Sequence, residues 1–144
     1  MLFRSGGVSQ VFVHDRQTGA TIRVSVATGG GQAAGRSQRP SISADGRYVA
    51  FASSASNLVS GDTNNYPDIF VHDRQTGQTT RVSVASDGTQ ANGHSYDPSI
   101  SADGRYVAFR SGADNLVSGD TNGRYDIFVR EMNKSVVFLP LVVR

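Results

Sequence analysis

The segment SISADGRYVAF occupies Ser41–Phe51 and recurs, letter for letter, at Ser99–Phe109, which lies 58 residues further along the chain. At the same spacing, VFVHDRQTG at Val11–Gly19 precedes IFVHDRQTG at Ile69–Gly77. Self-similarity at a fixed period is typical of a repeat architecture, in which each unit buries its apolar faces against its neighbours. The 144-residue chain is therefore predicted to be a single domain, 1–144, built from a repeating unit.

Each repeat is predicted to contain four strands. They are read from Pro98–Ser101, Arg105–Ser111, Asp68–Asp73 and Thr79–Ala85. The Asp–Gly pair between the first two strands is typical of a tight primed hairpin turn, with positive φ at both central residues. Gly77, in the turn between the third and fourth strands, is predicted to be left-handed.

The apolar patterns of the strands favour one architecture. The third strand, DIFV from Asp68, has apolar residues at consecutive positions, which point to opposite faces of the sheet. Both of its faces are therefore predicted to be covered. In the fourth strand, Val82 alternates with Arg81 and Ser83, which is typical of a half-exposed outer strand. Four antiparallel strands of this kind describe a β-propeller blade, whereas a sandwich, the second choice, would alternate throughout.

The two repeated segments together match a known family pattern. SISADGRYVAF followed by DIFVHDRQTG resembles the TolB-like, WD-like β-propeller repeat, and the resemblance covers nearly the whole chain. It implies an all-β fold of propeller blades with four antiparallel strands each. It also implies a binding scaffold with an extracellular or periplasmic location, although no signal peptide is visible in this chain.

The repeat predicts about three blades of unequal completeness. An incomplete blade spans about 2–27, a whole blade about 39–85, and a third blade about 97–143, whose tail can supply the fourth strand. Three blades form a partial propeller, because known rings have about four blades or more. Two interpretations stay open: two chains pair by two-fold symmetry into a six-bladed ring, which is favoured, or the chain is a fragment of a larger ring.

Composition excludes several function classes. The net charge is +2 without a basic run, so no nucleic-acid partner is expected. The chain has no cysteine, which excludes disulfides and thiolate chemistry. The longest apolar run, Val136–Val143, is too short to span a bilayer and contains Pro140, so no membrane span is expected.

The long loop before the third strand carries a candidate calcium site. Its oxygen-bearing residues stand at loop positions one, three and seven, the alternation that suits a hard cation. They are Asp62, Asn64 and Asp68, repeated at Asp120, Asn122 and Asp126. In the alternative interpretation these side chains stabilise the turn and bond backbone N–H groups at the strand start. The first blade has Gln10 in place of Asp68 and is not expected to bind metal, and no other cofactor is expected.

Two repeated pairs are interpreted as structural. His14 and His72 occupy equivalent third-strand positions, and the third blade has Arg130 there. A position that accepts arginine is a poor metal ligand, so both histidines are predicted to be surface side chains. Tyr48 and Tyr106 recur in phase within a strand and are predicted to be core.

The inter-blade loops differ more than the strands, which makes them the candidate partner-binding surface. The residues predicted to project there, on the loop-rich face near the axis, are Arg36, Arg39, His94, Tyr96 and Asp97. This prediction depends on their position in the repeat, because no binding motif is present.

The sequence predicts a non-enzymatic propeller module that binds a protein, because its motifs contain no pair of a nucleophile and a base. A glycan partner is the less favoured ligand, since the tyrosines of the long loops, Tyr66 and Tyr125, are not in phase with the repeat. The alternatives are a self-assembling structural repeat protein and an accessory propeller domain of a hydrolase whose catalytic part lies elsewhere.

Overall fold

The computed structural model describes residues 7–132 and 141–143, which form strands and turns throughout and contain no helix. Within these residues there is accordingly no helix of the length and hydropathy needed to cross a membrane. The strands are β1 (Phe12–His14), β2 (Thr21–Arg23), β3 (Ser37–Ile42), β4 (Tyr48–Ser53), β5 (Asp68–Asp73), β6 (Thr79–Arg81), β7 (Ser95–Ile100), β8 (Tyr106–Ser111), β9 (Asp126–Glu131) and β10 (Leu141–Val143).

The strands form three antiparallel sheets. The first sheet pairs β1 with β2, the second has the order β3-β4-β5-β6, and the third has the order β7-β8-β9-β10. The tail strand expected for the third unit is β10, which pairs with β9. The all-β class and the four-stranded antiparallel unit predicted from the sequence are confirmed.

The second and third sheets repeat each other in register. Phe51 pairs with Phe70 across β4 and β5, and Phe109 pairs with Phe128 across β8 and β9. The rings of each pair stack, with centroids 6.0 Å apart in the second sheet and 5.8 Å apart in the third. The 58-residue period of the sequence is therefore also the period of the packing.

Each sheet has two distinct faces. We call the face that carries Phe51 and Phe70, or their equivalents, the leading face, and the face that carries Ala52 and Ile69 the trailing face. The leading face of the second sheet forms one apolar cluster with Val11 and with residues of the segments that follow β2 and β4. The trailing face of the second sheet and the leading face of the third form the other cluster. Successive sheets therefore pack trailing face against leading face.

The hairpin turns differ from the primed type predicted. Gly46 and Gly104 have φ values of 74° and 73°, but neither of the preceding aspartates has positive φ. Instead, the Asp45 carboxylate accepts hydrogen bonds from the Ser43 hydroxyl and the Arg47 N–H. This local bonding stabilises an ordinary backbone at Asp45, so only the glycine is left-handed. The left-handed conformation predicted for Gly77 is confirmed, with φ at 77°.

The expected exposure of Ser83 is wrong. Its side chain is fully buried, and β6 ends two residues earlier, at Arg81. The Ser83 hydroxyl accepts the Ile69 N–H at 3.0 Å and donates to the Asp68 carboxylate at 2.7 Å. A buried polar side chain needs such partners, and these bonds attach the chain beyond β6 to the start of β5.

The surface assignment is also wrong for His72, although His14 is exposed as predicted. His72 is buried, its Nδ1 lies 2.8 Å from the Thr79 hydroxyl, and burial lowers its pKa. The Thr79 hydroxyl in turn donates to the Val26 carbonyl at 2.6 Å. The His72–Thr79 pair therefore contacts the segment that follows the first sheet, and this neighbour covers it.

The core prediction is wrong for Tyr106, which is 39% exposed, whereas Tyr48 is partly buried and packs against the core. The difference lies in what covers each ring. Gly104, in the hairpin of the third sheet, lies directly against the Tyr48 ring. Tyr106 holds the equivalent position on the trailing face of the third sheet, which no described sheet covers.

Candidate binding site at the inner strands

The inner strands β3 and β7 are interrupted at equivalent positions. Their pairing registers shift between Gln38 and Ser41 and between Tyr96 and Ser99. Arg39 and Asp97 stand inside these irregularities. The two strands lie next to each other, since the Ile100 N–H donates to the Ser41 hydroxyl at 3.0 Å. The irregularities therefore bring residues of both sheets to one place.

Arg39 and Asp97 both have left-handed backbones, with φ values of 56° and 55°. This conformation is uncommon for residues other than glycine and costs on the order of 1–2 kcal/mol. The Arg39 guanidinium forms an ion pair with the Asp97 carboxylate, and both side chains remain about half exposed. Backbone strain of this kind is concentrated at functional sites, so its recurrence here directs attention to this surface.

Around this ion pair lies a group of rings and one cation, which we call the aromatic–arginine cluster. It comprises Tyr66, His94, Tyr96, Arg110 and Tyr125. The Tyr96 hydroxyl lies 2.7 Å from His94 Nδ1, and the His94 ring meets the Tyr66 ring edge-on at 4.9 Å. The Tyr96 and Tyr125 rings stack with centroids 6.5 Å apart. Mutual stacking fixes these side chains in place before any partner arrives.

Arg110 connects the cluster to the ion pair. Its guanidinium carbon lies 5.0 Å from the centroid of Tyr125 and 5.9 Å from that of Tyr96, within the range of cation–π attraction. Its Nε lies 3.4 Å from the Asp97 carboxylate. Asp97 is therefore shared between Arg110 and Arg39, and the positive charge of this group exceeds its negative charge.

A cavity of about 320 Å³ opens between the second and third sheets beside the cluster. Its lining comprises Arg36, Gln38, Ala52, Ser53, Ser54, Pro67 and Tyr96. Within the described part of the chain, no hydrogen bond or ion pair involves the Arg36 guanidinium, which is exposed at this cavity. Arg36 therefore adds a third arginine to the same surface.

The structure brings four of the predicted partner-binding residues together, and the fifth, Arg36, lines the adjoining cavity. Sequence reasoning missed Tyr66, Arg110 and Tyr125. The signal that could have identified two of them is departure from the repeat: Arg110 replaces Ala52, and Tyr125 replaces Pro67. Partner binding by these residues stays a prediction.

The candidate calcium residues form hydrogen bonds with one another in the second sheet. Asn64 Nδ2 lies 3.0 and 3.2 Å from the two carboxylate oxygens of Asp68 and 2.9 Å from the Ala91 carbonyl. Burial raises the pKa of Asp68 to about 6. The Asp62 carboxylate lies 3.6 Å from the Arg81 guanidinium, and burial raises the pKa of Asp62.

The same network recurs in the other sheets with different residues. In the third sheet, Asn122 Nδ2 donates to both carboxylate oxygens of Asp126 at 3.1 Å, and Asp120, from the same loop, is buried. In the first, Gln10 accepts from the Ser25 hydroxyl at 2.6 Å and donates to the Ala33 carbonyl at 3.3 Å. A neutral glutamine thus makes both the contacts of Asp68 and those of Asn64.

These bonds give the loop residues a structural role that needs no metal. The described residues contain no group of three or more histidine, cysteine or acidic side chains placed to hold a metal ion. Calcium binding stays a prediction, because asparagine oxygens and backbone carbonyls are also calcium ligands.

Comparison with known proteins supports the fold. No protein-family model and no curated protein matches the chain. A solved structure described as a TolB from Agrobacterium tumefaciens is similar, with a TM-score of 0.55 and 18% identity over 91% of this chain. The chain has the fold of a partial TolB-like β-propeller. It spans 40% of the length of that structure.

A TolB structure from Acinetobacter baumannii also matches, with a TM-score of 0.35 and 18% identity, over 92% of this chain and 37% of its own length.

In the partial propeller, β3 and β7 are the inner strands of adjacent blade-like sheets. The aromatic–arginine cluster consequently lies at an inter-sheet groove. The WD-like character of the repeat stays a prediction.

Proposed function

We propose that this partial propeller is a non-enzymatic binding module whose aromatic–arginine cluster binds an acidic segment of a partner protein. The observation that carries the proposal is the cluster itself. It assembles ordered rings and Arg110 from two sheets and the loops that precede their strands, on a surface where Tyr66 and Tyr125 are 38% and 49% exposed. Tyrosine and arginine are enriched among residues that dominate binding energy at protein interfaces.

The charge of the surface favours an acidic partner. Arg39 and Arg110 share a single carboxylate, that of Asp97, and Arg36 lines the adjoining cavity. Complementary charge steers association and suppresses binding of wrong partners. Because the Arg36 guanidinium bonds to no other described residue, it can bind a partner carboxylate without breaking an internal bond.

The geometry supports a protein ligand more than a glycan. Sugar binding by tyrosine uses open ring faces, but Arg110 lies over the rings of both Tyr96 and Tyr125. A peptide carboxylate can instead bind Arg110 while its apolar neighbours contact the tyrosine edges.

The proposal of a non-enzymatic role is supported by the positions of Ser95 and His94, which are neighbours in the chain but do not contact each other through their side chains. The Ser95 side chain is buried and its hydroxyl donates to that of Ser111 at 3.0 Å. The exposed His94 contacts Tyr96 instead. The His94 ring bonds to Tyr96 and the Ser95 hydroxyl bonds to Ser111, so this histidine is not placed to activate this serine.

The proposed setting is extracytoplasmic, and the proposed unit is a homo-oligomer. The location is supported by the resemblance of the repeat to TolB-like propellers. Self-association is supported by the exposed apolar residues on the outer faces of the first and third sheets. An uncovered apolar face of this kind is a candidate interface.

The test is selection of peptides from a random phage-displayed library against the purified chain. We expect acidic peptides to be enriched, and their affinity to fall about 10- to 100-fold in a Tyr96→Ala, Tyr125→Ala double variant, a loss of about 1.4–2.7 kcal/mol. Tyr106→Ala is the matched control, because it removes an exposed tyrosine from the same sheet outside the cluster. Enrichment without acidic preference, or equal binding by the double variant, would overturn the proposal.

A further inference from the structure

The trailing face of the third sheet carries apolar residues that its equivalent in the second sheet buries. Ile69 is 0% exposed, whereas Ile127, at the same position of the repeat, is 39% exposed. Val129 is partly exposed, whereas its equivalent Val71 is buried. Both faces carry isoleucine and valine at these positions of β5 and β9, so these side chains differ in cover and not in chemistry.

The leading face of the first sheet shows the complementary pattern. Phe12 is 50% exposed, whereas the equivalent phenylalanines, Phe70 and Phe128, are 0% and 1% exposed. Val11, which directly precedes β1, is buried against the second sheet on the opposite side. The uncovered faces of the chain are therefore one trailing face and one leading face.

Within the chain, a trailing face is covered by a leading face. Ile69 and Val71 of the second sheet share an apolar cluster with Phe109 and Phe128 of the third. The exposed Ile127 and Phe12 are the repeat equivalents of the isoleucine and a phenylalanine in this cluster. The covered interface thus provides the template for the missing contact.

We propose that the trailing face of the third sheet docks onto the leading face of the first sheet of a second copy of this chain. The reciprocal contact joins the two chains a second time by two-fold symmetry, and the six sheets close a ring. Six lies within the range of known propeller sizes. The proposal rests on the proposed homo-oligomer and names the surfaces that join its copies.

The position of Arg110 favours the first sheet as the occupant. In the covered interface, Ala52 lines a cavity together with Tyr96 of the inner strand β7. The described part of the first sheet has two strands, β1 and β2, and no inner strand. At the uncovered face Arg110 replaces that alanine and lies against Tyr96 and Tyr125 of its own sheet. The arginine thus stands where an inner strand would approach, while Ile127 stands where β1 would pack.

Closure of the ring distinguishes a dimer of two copies from an open-ended array of many copies. A head-to-tail contact that does not close produces fibres, whereas two copies related by a two-fold axis leave neither face uncovered. Arg36 lies at the cavity between the second and third sheets, away from both docking faces, whereas Arg110 belongs both to the trailing docking face and to the aromatic–arginine cluster. Peptide binding is therefore measured on the monomeric variants, in which assembly does not cover Arg110.

The experiment uses Phe12→Asp, which alters the leading face of the first sheet, and Ile127→Asp, which alters the trailing face of the third. We expect the wild-type chain to sediment as a dimer and each variant alone to dimerise at least 100-fold more weakly. An equimolar mixture is expected to form a heterodimer through one intact contact, between the trailing face of the Phe12→Asp chain and the leading face of the Ile127→Asp chain, and to bind more weakly than the wild-type dimer. Labelling one variant with a fluorophore identifies the mixed species.

Ile22→Asp is the matched control. Ile22 is 52% exposed and pairs with Val13, so its side chain is on the face opposite to Phe12. It is expected to remain dimeric. Circular dichroism checks that each variant is folded, and Phe12→Ser and Ile127→Ser serve as milder replacements if either aspartate variant unfolds. These side chains are exposed, so the serine variants are expected to fold.

A monomeric wild-type chain would overturn both the homo-oligomer and the proposed surfaces. A dimer in which one variant alone still dimerises fully would instead show a contact between like faces and would overturn the surfaces only. A mixture of the two variants that forms no heterodimer would also overturn the proposed surfaces only. Peptide binding measured on the monomeric variants reports separately on the aromatic–arginine cluster.

Discussion

The second and third sheets have nearly the same sequence in their central strands but differ in what surrounds them. Ile69 in β5 packs into the cluster formed with the third sheet, whereas Ile127 in β9 faces outward. Tyr48 is covered by the hairpin at Gly104, whereas Tyr106 is not covered by a described hairpin. The comparison shows that in a repeat protein burial depends on the neighbouring unit as well as on the local apolar pattern.

Replacement of the equivalent isoleucines should have the most unequal effects. In the monomeric Phe12→Asp background, Ile69→Ala is expected to lower the free energy of unfolding by about 2–5 kcal/mol, because it leaves a cavity in the core. Ile127→Ala is expected to lower it by about 0.5 kcal/mol or less, as at other surface positions. Urea denaturation measures both values, and equal losses would contradict the difference in cover.

The buried carboxyl of Asp68 should make stability depend on pH. Burial raises its pKa to about 6 from the ordinary value of 3.8, so between these two values of pH the folded state retains a proton that the unfolded state has released. This contribution is present below pH 4 and is lost as pH rises through 6, a decrease of about 3 kcal/mol in the free energy of unfolding.

Asp68→Asn removes this titration while keeping the side-chain shape. The difference between wild-type and variant stability, measured by denaturant titration from pH 4 to 7, is expected to decline with rising pH. Gln10, the neutral equivalent in the first sheet, offers the matched control Gln10→Asn, whose difference from wild type should not vary with pH in this range. A constant difference for Asp68→Asn would contradict the raised pKa.

The two hairpin glycines sharpen the comparison of covered and uncovered hairpins. Both Gly46 and Gly104 have positive φ, so alanine at either position costs about 1–2 kcal/mol. A β-carbon at Gly104 would also lie 2.3 Å from the Tyr48 ring, whereas at Gly46 the nearest atom is 3.5 Å away. Gly104→Ala is therefore expected to cost about 1–3 kcal/mol more than Gly46→Ala in thermal or urea unfolding. Equal costs would show that the hairpin does not pack on Tyr48 in solution.

Calcium provides the smallest expected effect. If the long loops bind calcium, a concentration ten times the dissociation constant stabilises the folded chain by about 1.4 kcal/mol for one site. Calorimetric unfolding with calcium, with magnesium as the control ion, measures this shift. Asp62→Asn and Asp120→Asn are expected to reduce it. No stabilisation at about 10 mM calcium, roughly ten times the dissociation constant of the weakest extracellular sites, would contradict the prediction.

The sequence was sufficient to predict the repeat, the all-β class and the strand β5, whose observed limits are those of the segment DIFVHD. These features depend on local apolar pattern and on exact self-similarity, both of which are visible in one sequence. The predicted partner-binding residues also include Arg39 and Asp97, which the structure places in one ion pair.

The remaining features depend on contacts between distant residues. Ser83 is buried because its hydroxyl bonds to Asp68, and the local alternation of the outer strand gives no sign of that bond. His72 is buried because the segment after the first sheet covers it. The cluster around Arg110 depends on side chains from separate segments, and only two departures from the repeat, Arg110 for Ala52 and Tyr125 for Pro67, mark its place in the sequence.

The central claim is that the chain is a partial propeller whose two uncovered faces complete each other. The most direct test is its mass in solution, measured by light scattering on a sizing column over a range of concentrations. The account predicts a species of about twice the 15.3 kDa of one chain, without larger assemblies. A mass of one chain at every concentration, or growth into open-ended oligomers, would contradict it.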